Sequence, residues 1–203
     1  MHRQVTSRGL HVVTVIVGIE TDDGVVLGAD RSCTWPDLNQ IATYSYPKLF
    51  EYGPFLIGGC GSPRSMDLLR GCSAGDDWKP ERAVHYLANA YRKALIDGGG
   101  IAKWDDGTDK GDSMLVAYAG QLYRIDDQFD VLQLADRYDA IGCGAPFALG
   151  ALRIMSQDVH RWPDQNLDTA THWVMAALHA AAHHSFGVRG PFDVHVQATD
   201  AVR

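Results

Sequence analysis

A chain of 203 residues, 46% hydrophobic and 21% charged, has the length and apolar content of one compact domain with a sizeable core, which excludes a disordered or fibrous segment. A formal net charge of −7 without any Lys/Arg cluster argues against a nucleic-acid or anionic-membrane surface. The cysteines Cys33, Cys60, Cys72 and Cys143 are scattered without a CxxC pair and read as reduced thiols; with no signal peptide and no run long enough to span a membrane, the expected location is the cytoplasm.

In chain order, residues 12–19 form a nearly continuous apolar run, "DDG" at 22–24 signals a hairpin turn, and residues 25–29 form a second apolar run that ends on Asp30. Residues 48–52 and 55–57, split by "YGP", predict another hairpin leading into the glycine-rich "GGCGS". A short helix follows from Pro63, which suits a first helical turn, and a longer one runs through "KPERAVHYLANAYRKALID" to closing glycines. Residues 113–118, 122–125 and 131–134 return to strands. "DAIGCGAPFALGALRIM" then passes from strand through a glycine turn into helix, residues 167–184 form a last helix, and residues 192–198 a last strand. This order is not the alternation of a parallel βαβ fold. It predicts an α+β, four-layer αββα sandwich of two stacked antiparallel sheets with helices outside.

The stretch "TVIVGIETDDGVVLGADR" resembles the start of a proteasome β-subunit or of a bacterial proteasome-like ring peptidase. The resemblance continues through "PKLFEYGPFLIGGCGSPRSMDLL", "MLVAYAGQLYRID" and "YDAIGCGAPFALGAL", and so covers most of the chain from Thr14 onward. It implies the N-terminal nucleophile hydrolase fold, with residues 1–13 as a propeptide or N-terminal extension and 14–203 as a single domain. It also implies a threonine peptidase, cut between Val13 and Thr14, in which Thr14 is the nucleophile, Asp30 the buried acid, Lys48 its basic partner and Gly59 the oxyanion-binding glycine. The chemistry requires those types. A Thr hydroxyl is a poor nucleophile until a base takes its proton; a freed α-amine titrates near ~8, within reach of neutral pH, whereas a Lys amine titrates near ~10.4 and serves better as a fixed charge.

Two departures accompany the resemblance. Family members that free their own Thr usually carry Gly before it, where this chain has the stiff, β-branched Val13. The family's supporting Ser in the glycine turn matches Cys143, and its Asp and Ser near the chain end match Ser185 and Val188; Val188 offers no hydrogen-bonding group. The carry-over also places Cys33, Tyr46, Ile57 and Gly61 around the side chain preceding the scissile bond, with Thr34 and Gly59 pairing to the substrate backbone as an added strand. Small or hydrophobic side chains are expected there. His179 and His183 have i, i+4 spacing but no third ligand, so no metal and no cofactor is expected.

The implied partners are a peptide or unfolded-protein substrate, further copies of the chain in a homo-oligomeric ring, and an ATP-dependent unfoldase. Alternative readings are a non-catalytic shell or scaffold subunit that keeps residues 1–13, and an amidase on the same fold.

Overall fold

The computed structural model describes residues 13–35, 40–73, 79–157 and 166–199. Residues 1–12 of the expected extension lie outside the described residues. Two antiparallel sheets form the centre. In the first, the hairpin β1 (Ile16–Thr21) and β2 (Gly24–Asp30) is flanked by β12 (Tyr138–Ile141) and β13 (Phe192–Ala198), in the order β12-β1-β2-β13. In the second, β5 (Leu49–Tyr52), β6 (Phe55–Gly59), β9 (Met114–Tyr118), β10 (Gln121–Ile125) and β11 (Val131–Leu132) lie in the order β11-β10-β9-β6-β5.

The helices cover the outer faces. On the second sheet sit α1 (Pro63–Arg70) and α2 (Ala83–Asp97); on the first sit α3 (Ala145–Ser156) and α4 (Leu167–His184). Because successive strand side chains point to opposite faces, each strand serves two cores. Val15, Val17 and Val26 meet Ala148, Val174 and Leu178 of the α3–α4 layer. Ile16, Leu27, Leu49, Leu56 and Leu115 fill the space between the sheets. Phe55, Ile57 and Val116 pack against Leu69, Leu87 and Tyr91 of α1 and α2. Strands buried on both faces read as continuous apolar runs, which is why residues 12–19 and 25–29 do not alternate. The αββα sandwich expected from the sequence is the observed architecture.

The segment between Asp30 and Lys48, for which the sequence predicts no element, contains a ribbon of β3 (Ser32–Trp35) and β4 (Gln40–Thr43), in which Ser32 faces Thr43. A second unforeseen ribbon pairs β7 (Ala102–Lys103) with β8 (Asp109–Lys110). Two-stranded ribbons this short are not stable alone and draw on their surroundings. Arg31, just ahead of β3, is tied to Asp193 on β13 by paired bonds of 2.6 and 2.5 Å, an anchor 162 positions away that no local pattern reveals.

Candidate active site

Thr14 precedes β1, Asp30 ends β2 and Lys48 precedes β5, so the three come from both sheets and meet at one end of the sandwich. Lys48 Nζ lies 2.8 Å from Asp30 Oδ1, 3.0 Å from Thr14 Oγ1 and 3.2 Å from the Val13 carbonyl oxygen. An ammonium has three N–H groups, and each has an acceptor here. Lys48 thus brings the Thr14 hydroxyl, the Val13 carbonyl oxygen and the Asp30 carboxylate onto one nitrogen.

Asp30 is fully buried, and its oxygens are saturated. Oδ1 accepts from Lys48 and from the Val15 amide at 2.9 Å; Oδ2 accepts from the Ser32 amide at 3.1 Å and from the Ser32 hydroxyl. A buried charge survives only when paired and hydrogen-bonded in this way. It locks the start of β1, and with it Thr14, to the end of β2.

The Thr14 carbonyl is held from the other side by the glycine turn that precedes α3. The Gly144 amide donates to it at 3.3 Å and the Cys143 thiol at 3.5 Å. Gly142 has φ +93°, and a Cβ there would fall 2.2 Å from the Thr14 oxygen, so only glycine permits this approach. Ser185, at the end of α4, lies with its Oγ 3.8 Å from Cys143 Sγ. Val188 is fully buried in the core under α3 and α4 and contributes packing only.

A cavity of about 140 Å³ opens beside Thr14, walled by Cys33, Tyr44, Tyr46, Gly61 and Met66 among others. Tyr46 stands at its rim, 60% exposed, with the Arg70 guanidinium 5.1 Å from its ring centroid. A larger open groove of about 710 Å³, lined by Arg92, Trp104 and Asp109, contains none of the three clustered residues.

Two assignments made from sequence require correction. The Gly59 amide is committed to the strand ladder, donating to the Lys48 carbonyl at 3.1 Å, and so is not free to bind an oxyanion. Gly61, at φ +123° on the cavity wall, has an amide without a partner among the described residues, and it replaces Gly59 as the candidate donor. Ile57 points into the core beneath α1 and α2 and does not line the cavity. The wall expected from Ile57 is built by Gly59 and Met66: a Cβ on Gly59 would fall 2.1 Å from Met66 Sδ, so the bare glycine lets Met66 close over it. Thr34 is buried in β3 opposite Ile41 of β4, its Oγ1 without a hydrogen-bond partner among the described residues; nothing in this placement bears on the expected pairing of its backbone to substrate. Which glycine amide the strand ladder takes and which it leaves to the cavity is set by pairing with Lys48, and "GGCGS" carries no side-chain pattern that reveals it.

Sequence reasoning also missed Ser32, Tyr44, Met66, Asp67 and Arg70. Met66 and Arg70 were legible in principle, because a helix begun at Pro63 places them four apart on one face. Ser32 carried no signal beyond its nearness to Asp30.

Burial pushes the Cys60 thiol up to about 12, and burial also raises Cys33 despite the opposing pull of Lys48. Thiolate is the reactive form, so both should be sluggish near pH 8. Iodoacetamide at that pH is expected to alkylate the exposed Cys72 and Cys143 ahead of Cys33 and Cys60, as read by peptide mapping. Among the described residues no group of three or more His, Cys, Asp or Glu side chains is arranged to hold a metal, and no helix is long and apolar enough to cross a membrane. His179 packs edge-on against Phe192, while His183 lies edge-on to His184.

No family model and no curated protein matches the sequence. Solved structures do match its fold. BPH of Thiobacillus denitrificans in complex with epoxomicin superposes with a TM-score of 0.72 at 18% identity, covering 92% of this chain and 99% of the other. The fold is that of the proteasome-like N-terminal nucleophile hydrolases. Eukaryotic HslV from Trypanosoma brucei is 26% identical, with a TM-score of 0.64 over 90% of this chain and 98% of that one. Anbu from Pseudomonas aeruginosa, solved as a helical assembly, gives 0.68 at 20% identity over 93% and 83%.

Proposed function

We propose that this chain is a proteasome-like threonine peptidase in which residues 1–13 are removed to free Thr14. The observation that carries this reading is Lys48 Nζ within hydrogen-bonding distance of Thr14 Oγ1, the Val13 carbonyl oxygen and Asp30 at once. In the uncut chain the hydroxyl that would attack and the carbonyl that would be attacked share one cationic donor. Attack of Oγ on the Val13 carbonyl carbon develops negative charge on the oxygen that Lys48 already holds. Collapse breaks the Val13–Thr14 C–N bond, the departing nitrogen takes the proton that Oγ gives up, and water hydrolyses the resulting ester to release residues 1–13.

The freed α-amine of Thr14 then serves as the base that the uncut amide cannot be. It accepts the hydroxyl proton, Oγ attacks the substrate carbonyl, and the Lys48 charge favours the developing alkoxide. The Gly61 amide is the candidate donor to the tetrahedral oxyanion; such donors are commonly worth about 10²–10³ in rate. The amine passes its proton to the leaving group, and water resolves the acyl-enzyme. The cavity beside Thr14 suits a small or medium neutral side chain, because the charged Asp67 and Arg70 in its lining pair with each other at 3.3 Å.

Self-association belongs to the same reading. Phe147, Ile154 and Phe186 are 41%, 73% and 69% exposed on and next to α3 and α4, and Anbu from Pseudomonas aeruginosa forms an assembly. A ring, an unfoldase that feeds it and a cytoplasmic location are further parts of the proposal.

A second reading, a non-catalytic shell subunit, is favoured by the seating of Val13: Thr14 is only 1% exposed, and Val13 packs where Gly187, at φ +90°, leaves room for it. A β-lactone probe separates the two. Labelling is expected at Thr14 and lost in Thr14→Ala, as located by peptide mass spectrometry. A label on Cys143 or Cys60 would mean a different nucleophile, and no label would favour the shell.

A further inference from the structure

We infer that Ser32 is a positioning residue of this site, its hydroxyl joining the Asp30 carboxylate to the turn at residues 185–189; the kinetic part of the inference rests on the peptidase reading above. Ser32 is buried at the start of β3. Its amide donates to Asp30 Oδ2 at 3.1 Å, and its Oγ contacts the same carboxylate oxygen. That Oγ also lies 2.6 Å from the Gly187 carbonyl oxygen and accepts from the Arg189 amide at 3.1 Å. A hydroxyl has one proton and two lone pairs. The proton is therefore shared out between Asp30 Oδ2 and the Gly187 carbonyl, with the carboxylate the stronger acceptor, while Arg189 occupies a lone pair.

The turn at 185–189 matters because of what its other residues touch. Ser185 lies beside Cys143, which holds the Thr14 carbonyl, and Gly187 abuts Val13 and Thr34. Within this turn Val188 is turned into the core. No hydrogen bond from a side chain of the turn to Asp30 occurs among the described residues. The connection runs instead through Ser32, from the opposite partner. On the other oxygen of Asp30 sits Lys48, so the hydroxyl on Oδ2 and the ammonium on Oδ1 fix the carboxylate plane between them.

Removing the hydroxyl leaves Oδ2 with one donor and the Arg189 amide without its acceptor. The carboxylate can then rotate, Lys48 follows it, and a displacement of about 1 Å at a reacting group costs up to about 10²-fold in rate.

Ser32→Ala and Ser32→Thr, each in the full chain, test the inference by two readouts. Hydrogen–deuterium exchange of the peptide covering residues 185–190 is expected to speed up in Ser32→Ala and to stay near the parent in Ser32→Thr, whether or not the protein hydrolyses anything. In processed protein, Ser32→Ala is expected to lower kcat by about 10- to 100-fold with KM within twofold, and Ser32→Thr to restore most of it. If Ser32→Ala does not fold, Ser32→Cys, of similar size but with a weaker donor, replaces it. Unchanged exchange, or a kcat within twofold of the parent, overturns the inference. A parent protein that is inert toward peptides and unlabelled at Thr14 overturns the peptidase reading instead, and the exchange result still decides whether Ser32 couples Asp30 to the turn.

Discussion

Lys48→Ala is expected to reduce peptide hydrolysis by about 10²–10³-fold, the range lost when one preorganised electrostatic donor is removed, because the charge beside Thr14 Oγ1 is gone. The same variant should also lose stability. Asp30 is completely buried, and stripping its partner leaves an uncompensated carboxylate, a defect that costs about 3–5 kcal/mol. The two effects can be separated. In Lys48→Ala with Asp30→Asn the buried charge is gone, so most of the melting temperature should return while hydrolysis stays absent. Lys48→Arg keeps the charge but replaces a compact three-donor head with a planar fork, and should keep stability better than activity. Thermal melts and turnover of an unstructured fluorogenic peptide on the same preparations provide the check. Normal turnover in Lys48→Ala would remove Lys48 from the mechanism.

Intact mass spectrometry of active protein is expected to show chains that begin at Thr14. In the proposed mechanism the α-amine that would make Thr14 reactive exists only after the bond to Val13 is cut, and Thr14 is almost wholly covered while Val13 remains. Thr14→Ala should retain residues 1–13 indefinitely if the cut is self-inflicted, and should lose them if another protease makes it. Val13→Gly should hasten the cut, since a glycine lets the chain reach the strained geometry that the β-branched residue resists. Chains that keep the extension while still cleaving peptides would overturn the amine-base mechanism. Chains that keep it and cleave nothing would establish the shell reading.

The sequence by itself determined the layers and the approximate places of the three clustered residues. Apolar runs at 12–19 and 25–29, helical periodicity after Pro63 and glycine punctuation are local properties, and burial on both faces writes them strongly. Thr14, Asp30 and Lys48 were legible only through the resemblance of the stretches around them to a proteasome β-subunit; taken singly they are a strand residue, a strand-end acid and a surface-type charge. Only the tertiary structure decided which amide faces the cavity, what walls it and what holds Asp30. Gly59 and Gly61 differ by nothing a sequence displays; the ladder bond to Lys48 takes one amide and leaves the other. Ile57 and Met66 are both apolar, and the pleat sends the first under the helices while the bare Gly59 brings the second to the wall. Ser32 acquires its partners from residues 155 and 157 positions away, at Gly187 and Arg189, and a hydrogen bond at that separation is set by sheet packing, not by any pattern along the chain.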